Sequence, residues 1–354
     1  MNLIKHKFAL FLCLAFLASC NDDSNKGSNE LIIPVVTPLS IELTTANKNF
    51  VIGDKVELVI MLDSSFAFTD TKVSVGDEEY MLNSNSNFTL DTKEMSVGKF
   101  LVNLTAKGKD GKTYSDLQEI ILFSDVEPEY KTVFIEKELA HNQKSYTQGL
   151  EFYKGKLYEG TGRNNQSILA EVDLITGAHL RSVPLDGQYF GEGITILNDT
   201  IYQITWQSGK CLIYDMDFKQ IGEFNYDGDG WGLCNNGKQI IMSNGTDQIV
   251  WRDPRTFEII KSMYVFTDQE SVFNLNELEL INGRLFANVY TEKFVVEIDT
   301  TNGKVLSKID CNSLVVAGTQ PGSDVLNGIA YNQFTGKTYM TGKWWPKMFE
   351  VRIE

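Results

Sequence analysis

The stretch Glu192-Gly193-Ile194-Thr195-Ile196-Leu197-Asn198-Asp199-Thr200-Ile201-Tyr202-Gln203-Ile204-Thr205-Trp206 places two runs rich in β-branched and aromatic residues on either side of Asn198-Asp199. Such runs suit a pleated strand and an Asn-Asp pair suits a tight turn, so a hairpin is expected here. The same unit returns five times. Its openings are Gln148-Gly149-Leu150-Glu151-Phe152, Glu192-Gly193-Ile194-Thr195-Ile196, Trp231-Gly232-Leu233-Cys234, Asn276-Glu277-Leu278-Glu279-Leu280 and Asn327-Gly328-Ile329-Ala330-Tyr331, spaced 44, 39, 45 and 51 residues apart.

Each opening is followed by a second strand, as in Leu157 to Gly162, Ile201 to Trp206, Ile240 to Gly245, Leu285 to Tyr290 and Thr338 to Lys343. A third ends near an aspartate in the first four units (Asp173, Asp215, Asp253, Asp299), and a turn such as Thr176-Gly177 or Asn302-Gly303 leads to a fourth. Four strands in roughly 40 to 45 residues make one propeller blade, and five copies make a five-bladed β-propeller over residues 131–354. The fifth copy stops after its third strand at Val351-Arg352-Ile353, whereas Thr132-Val133-Phe134-Ile135-Glu136 precedes the first copy without a partner. The early segment is expected to complete the last blade, which removes an open sheet edge. An open sandwich or solenoid is the alternative arrangement of the same strands.

Upstream, residues 34–125 alternate apolar and polar positions in short runs, such as Lys55-Val56-Glu57-Leu58-Val59-Ile60 and Phe100-Leu101-Val102-Asn103-Leu104, broken by Gly53-Asp54, Gly76-Asp77 and Asp110-Gly111. That pattern fits a small Ig-like β-sandwich, all-β like the propeller. It holds no cluster of chemically useful residues, which suits a spacer or docking module. Residues 126–130, with Pro128, form the expected linker.

The N-terminus reads as a lipoprotein signal peptide over residues 1–20: basic Lys5, His6 and Lys7, an apolar run from Phe8 to Phe16, then Leu17-Ala18-Ser19-Cys20. The run is shorter than the roughly 20 apolar residues of a spanning helix, and small residues before Cys20 suit cleavage after lipidation of that cysteine. The competing reading is an ordinary secretory signal with an incidental cysteine. Residues 21–33 begin with a run of Asn, Asp, Ser and Gly and suit a flexible tether. The expected location is therefore the bacterial cell envelope, with a membrane anchor at Cys20. A net charge of −15 and a pI near 4.8 argue against a nucleic-acid partner, because phosphate binding needs clustered Lys and Arg. Past the leader only Cys211, Cys234 and Cys311 remain; a single bridge among them is open.

In a propeller the first strand of each blade lines the central axis, so the repeat nominates a ring of Gln148, Glu192, Trp231, Asn276 and Asn327 at one mouth. Glu192 is the ring's sole ionisable side chain. Burial there would tune it toward acid/base work. The second strands end in Gly162, Trp206, Gly245, Tyr290 and Lys343, and Trp344 and Trp345 add indole nearby. Each residue has a plainer reading as well: Trp206 as core filler, Asn276 and Asn327 as turn caps, Glu192 as half of an ion pair. His141 and His179 fall outside the ring, which speaks against a histidine-ligated zinc or a Ser-His-Asp triad.

At Tyr146-Thr147-Gln148-Gly149-Leu150, Phe190-Gly191-Glu192-Gly193-Ile194-Thr195, Thr205-Trp206, Gly230-Trp231-Gly232-Leu233, Leu275-Asn276-Glu277-Leu278-Glu279, Ala287-Asn288-Val289-Tyr290, Leu326-Asn327-Gly328-Ile329-Ala330-Tyr331 and Thr341-Gly342-Lys343 the chain resembles the plant and bacterial glutaminyl-peptide cyclotransferases, five-bladed propellers of the glutamine cyclotransferase family. The resemblance covers all five blades in order. It implies an aminoacyltransferase activity converting the N-terminal glutamine of peptides or proteins to pyroglutamate, with release of ammonia and no required cofactor. A structural calcium in the channel is compatible with it. By the same resemblance Glu192 carries the proton, while Gln148, Asn276 and Lys343 hold the amide and the developing oxyanion, and Asn327 is a further substrate-binding residue. Phe190, Trp206 and Trp231 form the walls, and Tyr290 joins the substrate-binding residues. Tyr146 stands where the family commonly has phenylalanine and Tyr290 where it has tryptophan. Two rivals remain at this stage: a non-catalytic peptide-binding propeller lipoprotein, and a metal-dependent hydrolase, for which Glu159 and Glu277 are the only other candidate carboxylates.

Overall fold

The computed structural model describes residues 38–82 and 87–354; the signal peptide, the tether and Cys20 lie outside the described residues. The described chain is all-β apart from one short helix, Asn312–Gly318. Among the described residues no helix is long and apolar enough to cross a membrane.

The first eight strands form two sheets around one core. Leu39–Leu43, Lys55–Leu62 and Asn87–Asp91 make a three-stranded sheet; Asn49–Val51, Thr113–Phe123, Gly98–Gly108, Phe68–Val75 and Glu78–Met81 make a five-stranded one. Alternation does what it should: Val56, Leu58 and Ile60 face inward with Val73, Val75, Val102, Leu104, Ile120 and Leu122, while residues between them face out. Each such buried aliphatic side chain contributes roughly 1.5–3 kcal/mol of burial.

The repeats fold as expected in strand number. Three are separate four-stranded antiparallel sheets, which open with Thr147–Tyr153, Gly191–Leu197 and Leu233–Asn235. The fourth sheet, opening with Leu275–Ile281, and the fifth, opening with Leu326–Asn332, are fused into eight strands by Glu129–Ala140. That long strand runs parallel to Val305–Asp310 through Glu129 to Thr132, then antiparallel to Lys347–Ile353 through Val133 to Ala140. The segment before the first repeat thus supplies the outer strand of the fifth.

The five opening strands pack on one another in sequence, and the last returns to the first, closing a ring. Closure demands that neighbouring backbones approach closely. A Cβ on Gly193 would lie 2.5 Å from the backbone nitrogen of Leu233, and one on Gly232 would strike the carbonyl oxygen of Asn276. The fourth repeat has Glu277 at this position. Its buried carboxylate instead accepts hydrogen bonds from the Leu150 and Ile329 amides of two other opening strands, at 3.3 and 2.8 Å. Glu151 accepts from Ile196 at 3.0 Å and Glu279 from Tyr331 at 3.0 Å, so three buried carboxylates staple the ring.

Two details differ from the sequence reading, and the open question of a cysteine bridge is answered. The third opening strand is short, beginning only at Leu233; Trp231 and Gly232 precede it and bond to Ser243, whose Oγ accepts from the Gly232 amide at 2.7 Å. The helix Asn312–Gly318 fills the long interval before the fifth repeat, with Leu314 buried beside Trp345 and Phe349. Cys211, Cys234 and Cys311 are all buried free thiols.

Candidate active site

Four of the five ring residues sit at local distortions of their strands. Pairing slips between Thr147 and Gly149, Gly191 and Ile194, Leu275 and Leu278, and Leu326 and Ile329. Each slip brackets a ring residue. A bulge bends its strand and re-aims a side chain, and here the side chains are Gln148, Glu192, Asn276 and Asn327. A cavity of about 230 Å³ is lined by Tyr146, Gln148, Arg163, Phe190, Glu192, Trp206, Trp231, Asn276, Tyr290 and Lys343. Eight of the nine residues expected there line it. Asn327 lies behind the wall, fully buried, with Nδ2 donating to the Thr147 carbonyl at 3.0 Å and to Gln148 Oε1 at 3.4 Å. It orients Gln148. Trp345 is likewise absent from the cavity; it is wholly buried, with Nε1 donating to the Asp324 carbonyl at 2.8 Å.

Glu192 is 5% exposed and accepts a hydrogen bond from Gln148 Nε2 at 2.9 Å. Burial pushes its pKa well above the usual carboxylate range; the Lys343 charge pulls the other way and Asp229 adds to the rise. Burial also lowers the pKa of Lys343, against the opposing charges of Glu192 and Asp324. Lys343 Nζ sits 5.0 Å from the centre of the Tyr146 ring and 4.9 Å from that of Tyr290. A carboxyl and an amine both shifted toward their neutral forms are suited to proton transfer. Two buried polar atoms in the wall, Trp231 Nε1 and Asn276 Oδ1, have no hydrogen-bond partner among the described residues. A buried unpaired donor or acceptor costs about 1–3 kcal/mol, a cost that a polar ligand group in the cavity would relieve.

The aromatic walls pack edge to face, Tyr146 on Phe190 at 6.0 Å, Phe190 on Trp206 at 5.7 Å and Trp231 on Tyr290 at 5.5 Å between ring centres. Trp206 is the open side of the cavity, 38% exposed, its Nε1 donating to Asp229 Oδ2 at 3.0 Å. Tyr146 OH donates to Asp324 Oδ2 at 3.1 Å. Gly245 leaves the space that the Trp231 ring occupies, since a Cβ there would lie 2.6 Å from the indole.

Sequence reasoning gave Arg163 no place in the cavity wall. The signal was weak: it follows Gly162, which the repeat puts at the mouth. It also missed the polar cluster behind the wall. His141 Nε2 and Glu159 Oε1 are 3.0 Å apart and wholly buried. Ser145 Oγ donates to Glu159 Oε2 at 2.9 Å and Thr147 Oγ1 donates to Glu159 Oε1 at 2.7 Å, while His141 Nδ1 donates to the Trp345 carbonyl at 2.8 Å. Burial alone would lower the His141 pKa and raise that of Glu159; their mutual attraction and hydrogen bonds reverse both shifts. The pair therefore stands as imidazolium and carboxylate, and it clamps the segment carrying Gln148 to the segment carrying Lys343. Among the described residues no group of three or more His, Cys, Asp or Glu side chains is placed to hold a metal ion. The carboxylates that the hydrolase reading would have needed are those spent on His141 and on the strand staples.

Fold and cavity together define an all-β protein whose small, mostly buried pocket joins one acid, one amine and unpaired amide and indole groups. The glutamine cyclotransferase family model matches residues 111–353. A glutaminyl-peptide cyclotransferase from Arabidopsis thaliana is 34% identical over 224 residues, which are 61% of this chain and 70% of that protein. The crystal structure of Myxococcus xanthus glutaminyl cyclase superposes with a TM-score of 0.61 at 33% identity, covering 64% of this chain and 99% of that one. The chain belongs to the glutamine cyclotransferase family and carries its glutaminyl-peptide cyclotransferase function.

Proposed function

We propose that the cavity takes the N-terminal glutamine of a peptide and closes it into pyroglutamate with Glu192 as the proton carrier. The α-amine attacks the side-chain amide carbon, a C–N bond forms and the carbonyl oxygen takes up negative charge. Glu192 accepts the proton released by the attacking nitrogen and passes it to the amide nitrogen as the original C–N bond breaks, so ammonia leaves and nothing else is consumed. Lys343 and Gln148 stand as donors toward the developing oxyanion. Asn276 Oδ1 and Trp231 Nε1 hold the amide and amine in place. Because both reacting groups belong to one residue, most of the advantage is positional: the pocket must hold the side chain curled back. About 230 Å³ is below the roughly 300–1,000 Å³ typical of sites for drug-sized ligands, so one side chain enters and the rest of the peptide stays outside.

The observation that carries this reading is a buried, largely uncompensated Glu192 beside Lys343, facing unpaired polar atoms. The test is ammonia release and the matching mass loss from Gln-Ala-Ala-amide with the full chain. Binding without turnover would support a peptide-binding protein instead.

The five four-stranded sheets and their ring of opening strands are read here as a five-bladed β-propeller, and the two preceding sheets as an Ig-like sandwich over residues 34–125. No cofactor enters the reaction as written. The leader sequence supports a lipid anchor at Cys20 after a signal peptide of residues 1–20, and hence a cell-envelope location with periplasmic or surface peptides as substrates. Fatty-acid labelling of the expressed chain, lost in C20A, tests the anchor.

A further inference from the structure

Six arginines occur in the chain, and none is in the leader. Arg181, Arg255, Arg284 and Arg352 each pair with a carboxylate, and Arg252 is buried against Tyr226 and Phe257. Arg163 differs from all of these. It is exposed at the mouth of the active-site cavity, and its guanidinium rests on the rings of Tyr146 and Trp344, 5.4 and 5.2 Å from their centres. Its backbone is at φ 89°, a region that non-glycine residues rarely adopt and that is strained for a long side chain. The placement is nonetheless held firmly, because the Arg163 carbonyl accepts from Ser167 Oγ and from the Gln166 amide, both at 2.9 Å.

We infer that Arg163 is a specificity residue that recognises a carboxylate carried just downstream of the substrate glutamine. The inference rests on the reaction proposed above, in which the glutamine fills the cavity and its chain leaves by the open side. Arg163 and Lys343 approach the same Tyr146 ring, at 5.4 and 5.0 Å from its centre, so they lie within about 10 Å of each other, the reach of about three extended residues. A carboxylate on the second residue, whether its side chain or a C-terminus, therefore falls within range of the guanidinium. Contact with two rings holds the guanidinium at the mouth, and no carboxylate among the described residues forms an ion pair with it, so its planar fork is available for a bidentate contact. The other charged groups at this mouth are Asp229 and Asp324, which would repel such a substrate. Both already accept hydrogen bonds, from Trp206 and Tyr146, and Asp324 is also attracted by Lys343.

The experiment compares kcat/KM of the full chain on Gln-Glu-Ala-amide, Gln-Ala-Ala-amide, Gln-Ala-amide and Gln-Ala free acid. The expected preference for Gln-Glu-Ala-amide over Gln-Ala-Ala-amide is about threefold to tenfold at low salt, shrinking as salt screens an exposed contact. R163M should reduce that ratio to about one or below and R163K should keep part of it, because lysine retains the charge without the fork. The free acid against the amide of Gln-Ala tells whether a terminal carboxylate serves as well as a side chain. A native ratio of one or less on both pairs, or a ratio that survives R163M, overturns the inference. Absence of turnover on all four peptides would instead refute the underlying reaction.

Discussion

Replacing Glu192 by glutamine isolates the proton-transfer step. The substitution is nearly isosteric, and its amide oxygen can still accept from Gln148 Nε2, the 2.9 Å contact that holds the native side chain. What disappears is the capacity to take a proton from the attacking amine. General acid/base catalysis by a placed side chain contributes about 10²- to 10⁴-fold, so kcat for Gln-Ala-Ala-amide should fall within that range, a barrier increase of roughly 3–5.5 kcal/mol. KM should move by less than about threefold. Folding should not suffer: burial raises the pKa of Glu192, so the folded state holds its proton more tightly than the unfolded chain, and ionisation at higher pH costs stability. Glutamine avoids that cost. The assay is initial-rate ammonia release, corrected for spontaneous cyclisation, beside a denaturant titration. A well-folded E192Q chain with kcat within about fivefold of native would refute the assignment.

Further perturbations address the surroundings of the site. K343M should lower kcat by about 10²-fold through loss of a donor to the oxyanion, measured in the same assay, with the far-ultraviolet spectrum unchanged. E159A leaves the His141 imidazolium buried and unpaired, and breaking a buried pair in this way costs about 3–5 kcal/mol, readable as a shift in denaturation midpoint near pH 6. The clamp itself has two limits: the lowered Glu159 pKa makes its contribution fade only as pH falls below the usual carboxylate range, and the raised His141 pKa makes it fade as pH rises above the usual histidine range. Glu151 behaves oppositely. Burial lifts its pKa from 4.5 to about 8, so native stability should decline as pH rises across that interval, and E151Q should flatten the decline; an unchanged slope would refute it. G193A forces a Cβ against the Leu233 backbone and should destabilise the ring by at least about 1–3 kcal/mol, with activity lost in parallel.

The repeat made much of the fold legible. Alternation within each unit sets strand faces, and the unit Gln148-Gly149, Glu192-Gly193, Trp231-Gly232, Asn327-Gly328 marks where opening strands approach one another. The unpartnered run around Val133 pairs with the incomplete fifth unit, a match legible in one dimension because an unpaired strand and a missing strand show as a surplus and a deficit in the pattern. The helix Asn312–Gly318 was not legible, since Asn312-Ser313-Leu314-Val315-Val316 carries no clear helical period and a β-branched pair favours strand locally. Its burial against Trp345 and Phe349 overrides that preference.

For the site the division is similar. The primary sequence determined which residue types stand at equivalent positions of five units, and so nominated Glu192, Gln148, Asn276 and Lys343. Whether Gln148, Glu192 and Asn276 reach one cavity was decided by the bulges that re-aim their strands, and a bulge is a product of cross-strand pairing that no local pattern encodes; Lys343 enters from just past the end of its strand. The same holds for Asn327 turning behind Gln148, for Arg163 lying over Tyr146 and Trp344, and for the His141 and Glu159 clamp, whose members are 18 residues apart in the chain. Periodicity is a property of a single strand and survives in one dimension. Contact between side chains, and the burial that shifts their proton affinities, exists only once the ring has closed.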